Sequence, residues 1–116
     1  MKVTRIFTGD DQESHFEDIE IPLTDKGEIG KLSEIVKATG VIFRETPPDY
    51  CYSWHNAPQR QYVVMLEGGV EMEIGDGTKR IFQAGDILLA EDTTGRGHIS
   101  RAVNNKPRKS LFITLD

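Results

Sequence analysis

The sequence predicts an all-β fold, a small barrel or sandwich, because short candidate strands recur at regular spacing with glycine-rich turns between them. Residues 70–74 show the pattern well: Val70, Met72 and Ile74 alternate with glutamates, which gives one buried face and one wet face. The Gly75-Asp76-Gly77 turn that follows predicts a hairpin with residues 79–82 as its return strand. We expect the sheet to close on itself, because closure removes the exposed edges of so many short strands.

Other short segments complete the predicted strands, with polar or glycine-containing turns between them: residues 3–8, 16–22, 41–45, 61–66, 87–90, 99–103 and 110–115. Residues 24–40 alone carry a helical signal, because apolar residues recur there at helical spacing: Ile29, Leu32, Ile35 and Val36. Asp25 is a candidate N-cap, but Gly27 and Gly30 disfavour a helix. We therefore expect one short N-terminal helix or irregular segment outside the sheets.

Length and charge limit the function classes that fit this chain. Its 116 residues suit one domain (1–116), and its net charge of −5 repels phosphate backbones and anionic lipid. We therefore expect neither a nucleic-acid partner nor a membrane partner. The N-terminus lacks a signal peptide's apolar core, and no apolar run approaches the roughly 20 residues that span a bilayer. A cytoplasmic location is the default expectation. Cys51 is the only cysteine, so no intrachain disulfide forms.

Two of the three histidines, His55 and His98, stand among polar and aromatic neighbours, where a core histidine is unusual. His55 precedes the strand at 61–66, and His98 follows the loop 92–97, which holds two threonines and two glycines. Each histidine is therefore a candidate for a site, with a solvated or structural role as the alternative.

The spacing of these residues resembles the two motifs of the cupin family. His55 occupies the first histidine position of motif one, Gln61 its glutamate and Gly68 its closing glycine. Gly85 opens motif two, and His98 occupies its histidine after two extra residues. The resemblance covers about 41–115 and implies a double-stranded β-helix, or jelly-roll barrel, preceded by N-terminal strands and a short helix in 1–40.

Departures from the motifs bear on a metal site. Cupins that bind metal use three histidines and one glutamate, whereas this chain has Ala57 at the second histidine and Gln61 at the glutamate. His55, His98 and Gln61 are thus a candidate set for one divalent ion, Fe, Mn, Ni or Zn. Catalytic sites usually have three good ligands, and a neutral amide is a weak one. His15, Glu91 and Asp92 are possible replacements. A metal-free pocket remains the favoured alternative, with Gln61 hydrogen-bonded inside the barrel.

Further residues near the predicted pocket are candidates for contact with a substrate. Trp54 is placed to stack on a ligand ring or to pack in a dimer interface. Arg60 is placed to bind an anion at the rim, or to form a salt bridge with Glu91 or Asp92. Asp92 and Thr94 lie in the loop before His98, which either contacts ligand or is a plain surface turn.

The resemblance leaves two functions open. As an enzyme, the chain would act on a small organic acid, sugar or phenol as a dioxygenase, isomerase or lyase, with His55 and His98 as catalytic groups. As a binding module, it would carry or sense a small ligand without metal and without turnover. Cupins of this size commonly form homodimers, and we expect Tyr62, Val64 and the N-terminal strand to supply the interface. Fold analogy does not choose between these functions.

Overall fold

Two β-sheets face each other across an apolar core in the computed structural model, which describes residues 1–116. A six-stranded sheet runs in the order β2-β1-β10-β7-β12-β5, and a four-stranded sheet in the order β6-β11-β8-β9. The strands are β1 (Lys2–Thr8), β2 (Ser14–Glu20), β3 (Thr24–Asp25), β4 (Lys31–Leu32), β5 (Gly40–Thr46), β6 (Cys51–His55), β7 (Gln61–Glu67), β8 (Gly69–Glu73), β9 (Lys79–Gln83), β10 (Ile87–Glu91), β11 (His98–Ala102) and β12 (Arg108–Thr114).

The architecture is nearly all-β, as predicted, but the sheets do not close into a barrel. β2 and β5 are the free edges of the larger sheet, and β6 and β9 those of the smaller one. The chain passes from β5 to β6 through Pro47 and Pro48, which lack the N–H that would continue a ladder. The expectation of closure is therefore replaced by a sandwich, an arrangement compatible with a jelly roll.

The core fills the space between the sheets through strand alternation. Val70 and Met72 on β8 are almost fully buried, while the alternating residues Glu71 and Glu73 are half-buried on the other face. Gln61, Val63 and Met65 share the inward face of β7, and all three are buried. The same rule places Ile6, from β1, at the centre of the cluster with no exposed surface. Because Gln61 is polar, its burial marks where the apolar core gives way to a polar region.

The helical expectation for residues 24–40 is not met. β3 and β4 pair there as a short hairpin around a three-residue 3-10 helix, Gly27–Ile29. Gly27 and Gly30 have φ angles of +76° and +91°, which an α-helix does not accommodate. No helix of the structure is long and apolar enough to span a membrane. The sequence also missed β6, which carries His55 at its end.

We expect Gly97→Ala to destabilise the fold far more than Gly77→Ala. Both glycines have positive φ, so either alanine costs about 1–2 kcal/mol in backbone strain. A Cβ on Gly97 would also stand 1.9 Å from the carbonyl oxygen of His55, whereas a Cβ on Gly77 meets nothing within 4 Å. Urea unfolding should give a loss of roughly 3 kcal/mol or more for Gly97→Ala. Equal losses for the two variants would contradict the close packing of residues 55 and 97.

Candidate functional site

A cavity of about 310 Å³ lies between the two sheets and contains both histidines singled out from the sequence. Ten of its eighteen lining residues are hydrophobic, and the polar ones include His55, His98 and Gln61. Ligand pockets are typically apolar concavities of roughly 300–1,000 Å³ with a few placed polar groups. This cavity is at the small end of that range.

His98 is fixed by a buried carboxylate behind it. Its Nδ1 lies 2.5 Å from Oδ2 of Asp92, and the same oxygen accepts a 2.7 Å hydrogen bond from the Ser14 hydroxyl. Asp92 has no exposed surface, and its Oδ1 has no hydrogen-bond partner. The contact places a hydrogen between Nδ1 of His98 and the Asp92 carboxylate, so the neutral form of His98 is the tautomer with its hydrogen on Nδ1 and its acceptor on Nε2. Asp92, predicted to touch substrate, is instead placed to orient His98.

The loop between Asp92 and His98 is fastened to the segment after β6. The carbonyl oxygen of Asp92 accepts from the Ala57 N–H, and the Asn56 amide donates to the carbonyl oxygens of Thr94 and Gly95. His98 then pairs directly with His55 in the sheet. The loop between Asp92 and His98 therefore brings the two imidazoles side by side.

His55 is held in an equivalent tautomer. Its Nδ1 donates to the carbonyl oxygen of Ser53 at 2.7 Å, and its ring stacks on Tyr52 at 3.8 Å. The His55 and His98 ring centroids are 4.4 Å apart. Burial lowers the pKa of His55 below its ordinary value and outweighs the hydrogen bond to Ser53, which acts in the opposite direction. His55 is thus a neutral imidazole with Nε2 unprotonated at neutral pH.

Two arginines, Arg44 and Arg108, line the same cavity, and neither was a candidate from the sequence. Both guanidinium groups lie against the Tyr50 ring, at 5.1 Å and 5.2 Å from its centroid. Arg44 also donates to the Tyr50 hydroxyl at 2.9 Å. Strand alternation could have identified Arg44, because it lies on the same face of β5 as Ile42 and Thr46. A charged residue at such a position is a signal of a polar site.

No carboxylate pairs with either arginine, although eight other cations of the chain, counting the N-terminal ammonium, form ion pairs. Arg108 is 4% exposed, and its Nε has no hydrogen-bond partner. Burial, followed by repulsion from Arg44, lowers the pKa of Arg108 to about 10. A buried guanidinium without a partner lowers the stability of the fold, so the part of the cavity at Arg44 and Arg108 is suited to an anion that enters from solvent.

Besides Asp92, three residues predicted to bind substrate lie outside the cavity lining. Trp54 is partly exposed and faces the Arg96 guanidinium, 5.3 Å from the ring centroid. Arg60 pairs with Glu91 at 2.6 Å, the salt bridge weighed as its alternative role. Thr94 is exposed, and its carbonyl oxygen accepts hydrogen bonds from Thr8 and Asn56.

The donor set falls short of the divalent metal expected from the resemblance. His55 and His98 supply two imidazoles, and Gln61 supplies a neutral amide. No group of three His, Cys, Asp or Glu side chains comes together, and the Asp92 carboxylate is committed to His98 and Ser14. Three strong ligands are the usual requirement of a catalytic site. These residues do not fit a tightly held metal.

Comparison with known proteins adds information on the fold alone. No protein-family model and no curated protein matches the sequence. Three solved structures share the fold, each at a TM-score of 0.51. They are a Neisseria meningitidis protein (20% identity, 72% of this chain and 81% of that one), a conserved Streptococcus pyogenes protein of unknown function (15%, 72% and 71%) and a putative ethanolamine utilization protein Q from Salmonella typhimurium (14%, 97% and 94%). At these identities the chain is shown to share a β-sandwich fold with them.

Proposed function

We propose that this chain is a cupin-type protein that binds a small organic anion in its cavity and moves a proton on it. The observation that carries this proposal is that one cavity is lined by two arginines without a carboxylate partner and by a pair of histidines. We call the part at Tyr50, where both guanidinium groups lie, the arginine end, and the part at His55 and His98 the histidine end. The backbone positions of the two ends are separated along β11, because the N–H of Ala102 bonds to Tyr50 and Ala102 is four residues from His98. At the usual rise this backbone spacing is about 13 Å.

The arginine end suits a carboxylate for electrostatic reasons. Arg44 and Arg108 repel each other across the Tyr50 ring, and burial deprives Arg108 of water. A carboxylate between them removes the repulsion and accepts charge-assisted hydrogen bonds from planar donor groups. The apolar side chains between the two ends, which include Val63, Met72 and Leu88, suit a short carbon skeleton.

The histidine end supplies a general base. In its neutral form His98 presents Nε2 as a proton acceptor, and Asp92 holds the ring and stabilises the imidazolium that forms when His98 accepts a proton. A proton taken from one carbon or hydroxyl of the ligand and returned at a neighbouring atom leaves the ligand isomerised, with no change in its composition or oxidation level. This is isomerase chemistry, and it uses no metal.

Binding without turnover is the second candidate. The same geometry supports it, since His98 and Asp92 also close one end of the cavity as a hydrogen-bonded wall. The two functions share the arginine end and differ in what happens to a proton of the bound ligand.

We expect small mono- and dicarboxylates to bind, and their neutral amides to bind far more weakly. Hydrogen bonds to charged groups contribute about 1.5–3 kcal/mol, so Arg44→Met should weaken carboxylate binding roughly 10- to 100-fold. The measurement is calorimetric titration of each acid and its amide. Arg101→Met is the matched control, because Arg101 pairs with Glu71 and Glu73 away from the cavity. Equal affinity for acids and amides, or equal losses in both variants, would contradict an anion site at Arg44.

Proton transfer is tested on a carboxylate that binds. In D₂O, we expect the protein to exchange a carbon-bound proton of the ligand, seen as loss of its proton NMR signal. Asp92→Asn and His98→Gln should slow exchange by about 10²- to 10⁴-fold while the arginine end still binds the acid.

His15→Gln is the control for exchange, because His15 forms an exposed pair with Asp11 at 3.0 Å on the outside of the sandwich. Its exchange rate should equal that of the unaltered protein. Tight binding without any exchange would establish the non-catalytic alternative, and exchange that survives His98→Gln would exclude His98 as the base.

A further inference from the structure

A segment of 22 consecutive residues, from Pro22 to Phe43, is exposed throughout. We call residues 22–39 the arm; they precede β5 and include the β3–β4 hairpin. The arm carries five large apolar side chains in solvent: Leu23, Ile29, Leu32, Ile35 and Val36. Ile29 is 72% exposed and Ile35 is 92% exposed. Side chains of this type are ordinarily buried, so the arm lacks the surface that covers it.

The arm is joined to the rest of the chain at its two ends. Ile21 donates to the carbonyl oxygen of Met1, and Thr39 donates to that of Thr114. Between these positions the hydrogen bonds stay inside the arm, as in the bond from Gly27 to Asp25 and the β3–β4 pairs. A chain segment of this length ordered without burial loses conformational entropy and gains nothing in return. Packing against another molecule supplies the missing burial.

A second uncovered surface lies directly beside the arm. β5 pairs with β12 on one side only, so its other edge presents free N–H and C=O groups. Three consecutive apolar residues of β5 are exposed on its two faces: Val41 (54%), Ile42 (47%) and Phe43 (82%). Exposed apolar edges of this kind are templates for pairing with another chain.

We propose that the arm and β5 of one chain dock on the arm and β5 of a second copy, forming a two-fold dimer. A second copy offers what each surface lacks, because it carries both an apolar arm and an open β5 edge, as an isologous interface requires. The exposed residues 22–43 number 22 on each side, which matches the roughly 20–30 residues per side of a standard stable interface.

Charge also favours a second copy as the occupant. The arm holds three acidic and three basic residues: Asp25, Glu28, Glu34, Lys26, Lys31 and Lys37. The chain's net charge of −5 therefore lies entirely outside the arm. A neutral arm approaches an acidic copy of the same chain without repulsion, and its alternating charges can pair across a two-fold axis. Nucleic acid and anionic membranes are repelled by the acidic body.

This interface differs from the one expected from the sequence. Tyr62 and Val64 are half-buried on β7, which lies between β10 and β12, and β1 is covered by β2 on one side and β10 on the other. Neither β7 nor β1 has a free edge, so the edge pairing open to β5 is not open to them.

The test is the mass of the full chain in solution, by light scattering or sedimentation over a wide concentration range. We expect twice the monomer mass of 13.1 kDa. Ile35→Asp and Phe43→Asp should each raise the dissociation constant of the dimer roughly tenfold or more, since both place a charge in the apolar interface. Because both residues are exposed in the single chain, the folded monomer tolerates either change, as circular dichroism will verify.

Ile81→Asp is the control, because Ile81 is a 50% exposed apolar residue on β9, the edge of the other sheet. Its mass should equal that of the unaltered dimer. Amide hydrogen exchange over residues 22–43 should be slower in the dimer than in the Ile35→Asp variant. A monomer at all concentrations, or a dimer that only Ile81→Asp dissociates, would overturn the proposal and leave the arm as a surface for a different molecule or none.

Discussion

The hydrogen bonds of the buried Asp92 carboxylate join the two halves of the sandwich at the point where the cavity becomes polar. Ser14 approaches from β2 of the larger sheet and His98 from β11 of the smaller one, and both reach the same oxygen. A carboxylate with no exposed surface is tolerated only when such partners are in place. The orientation of His98, the course of the loop before it and the spacing of the sheets therefore depend on one group.

The cavity combines two kinds of polar group that a core normally avoids. Arg44 and Arg108 bring positive charge to the arginine end, and His55 and His98 bring imidazoles to the histidine end. Each imidazole has its Nδ1 engaged, by Ser53 or by Asp92, so both present the same ring nitrogen as an acceptor. An anion held by the arginines would therefore meet proton acceptors at its far end. The candidate site is explained by this pairing of charge and basicity without recourse to a metal.

Alternation made much of the fold predictable, as β8 illustrates, because apolar residues occupy every second position there and all of them are buried. The helix predicted in the arm was wrong for two reasons. Apolar residues at helical spacing do not stabilise a helix when nothing in the chain covers them. Two glycines of the arm also have positive φ. Closure of the sheet was expected from edge protection, yet β5 keeps an open edge.

Within the site, the two histidines and Gln61 were predictable from their spacing, and the arginines were not. The strand β12 shows the reason: its inward face carries three polar residues, Arg108, Ser110 and Thr114, with Phe112 as the one apolar residue, while Leu111 and Ile113 face outward. If the apolar residues of β12 are assigned to the inward face, the two faces are exchanged and Arg108 is placed in solvent. The role of Asp92 was also missed, because only the folded loop shows that its carboxylate lies behind His98 and not in front of it.

The most direct test is a long-range proton–nitrogen NMR spectrum of the histidine side chains, which identifies the ring nitrogen that carries the hydrogen. The geometry requires neutral His98 to carry its hydrogen on Nδ1, with Nε2 bare, and to keep that tautomer when a carboxylate is added. A bare Nδ1 with a hydrogen on Nε2, or the averaged signal of a freely exchanging imidazole, would contradict a general base oriented by Asp92.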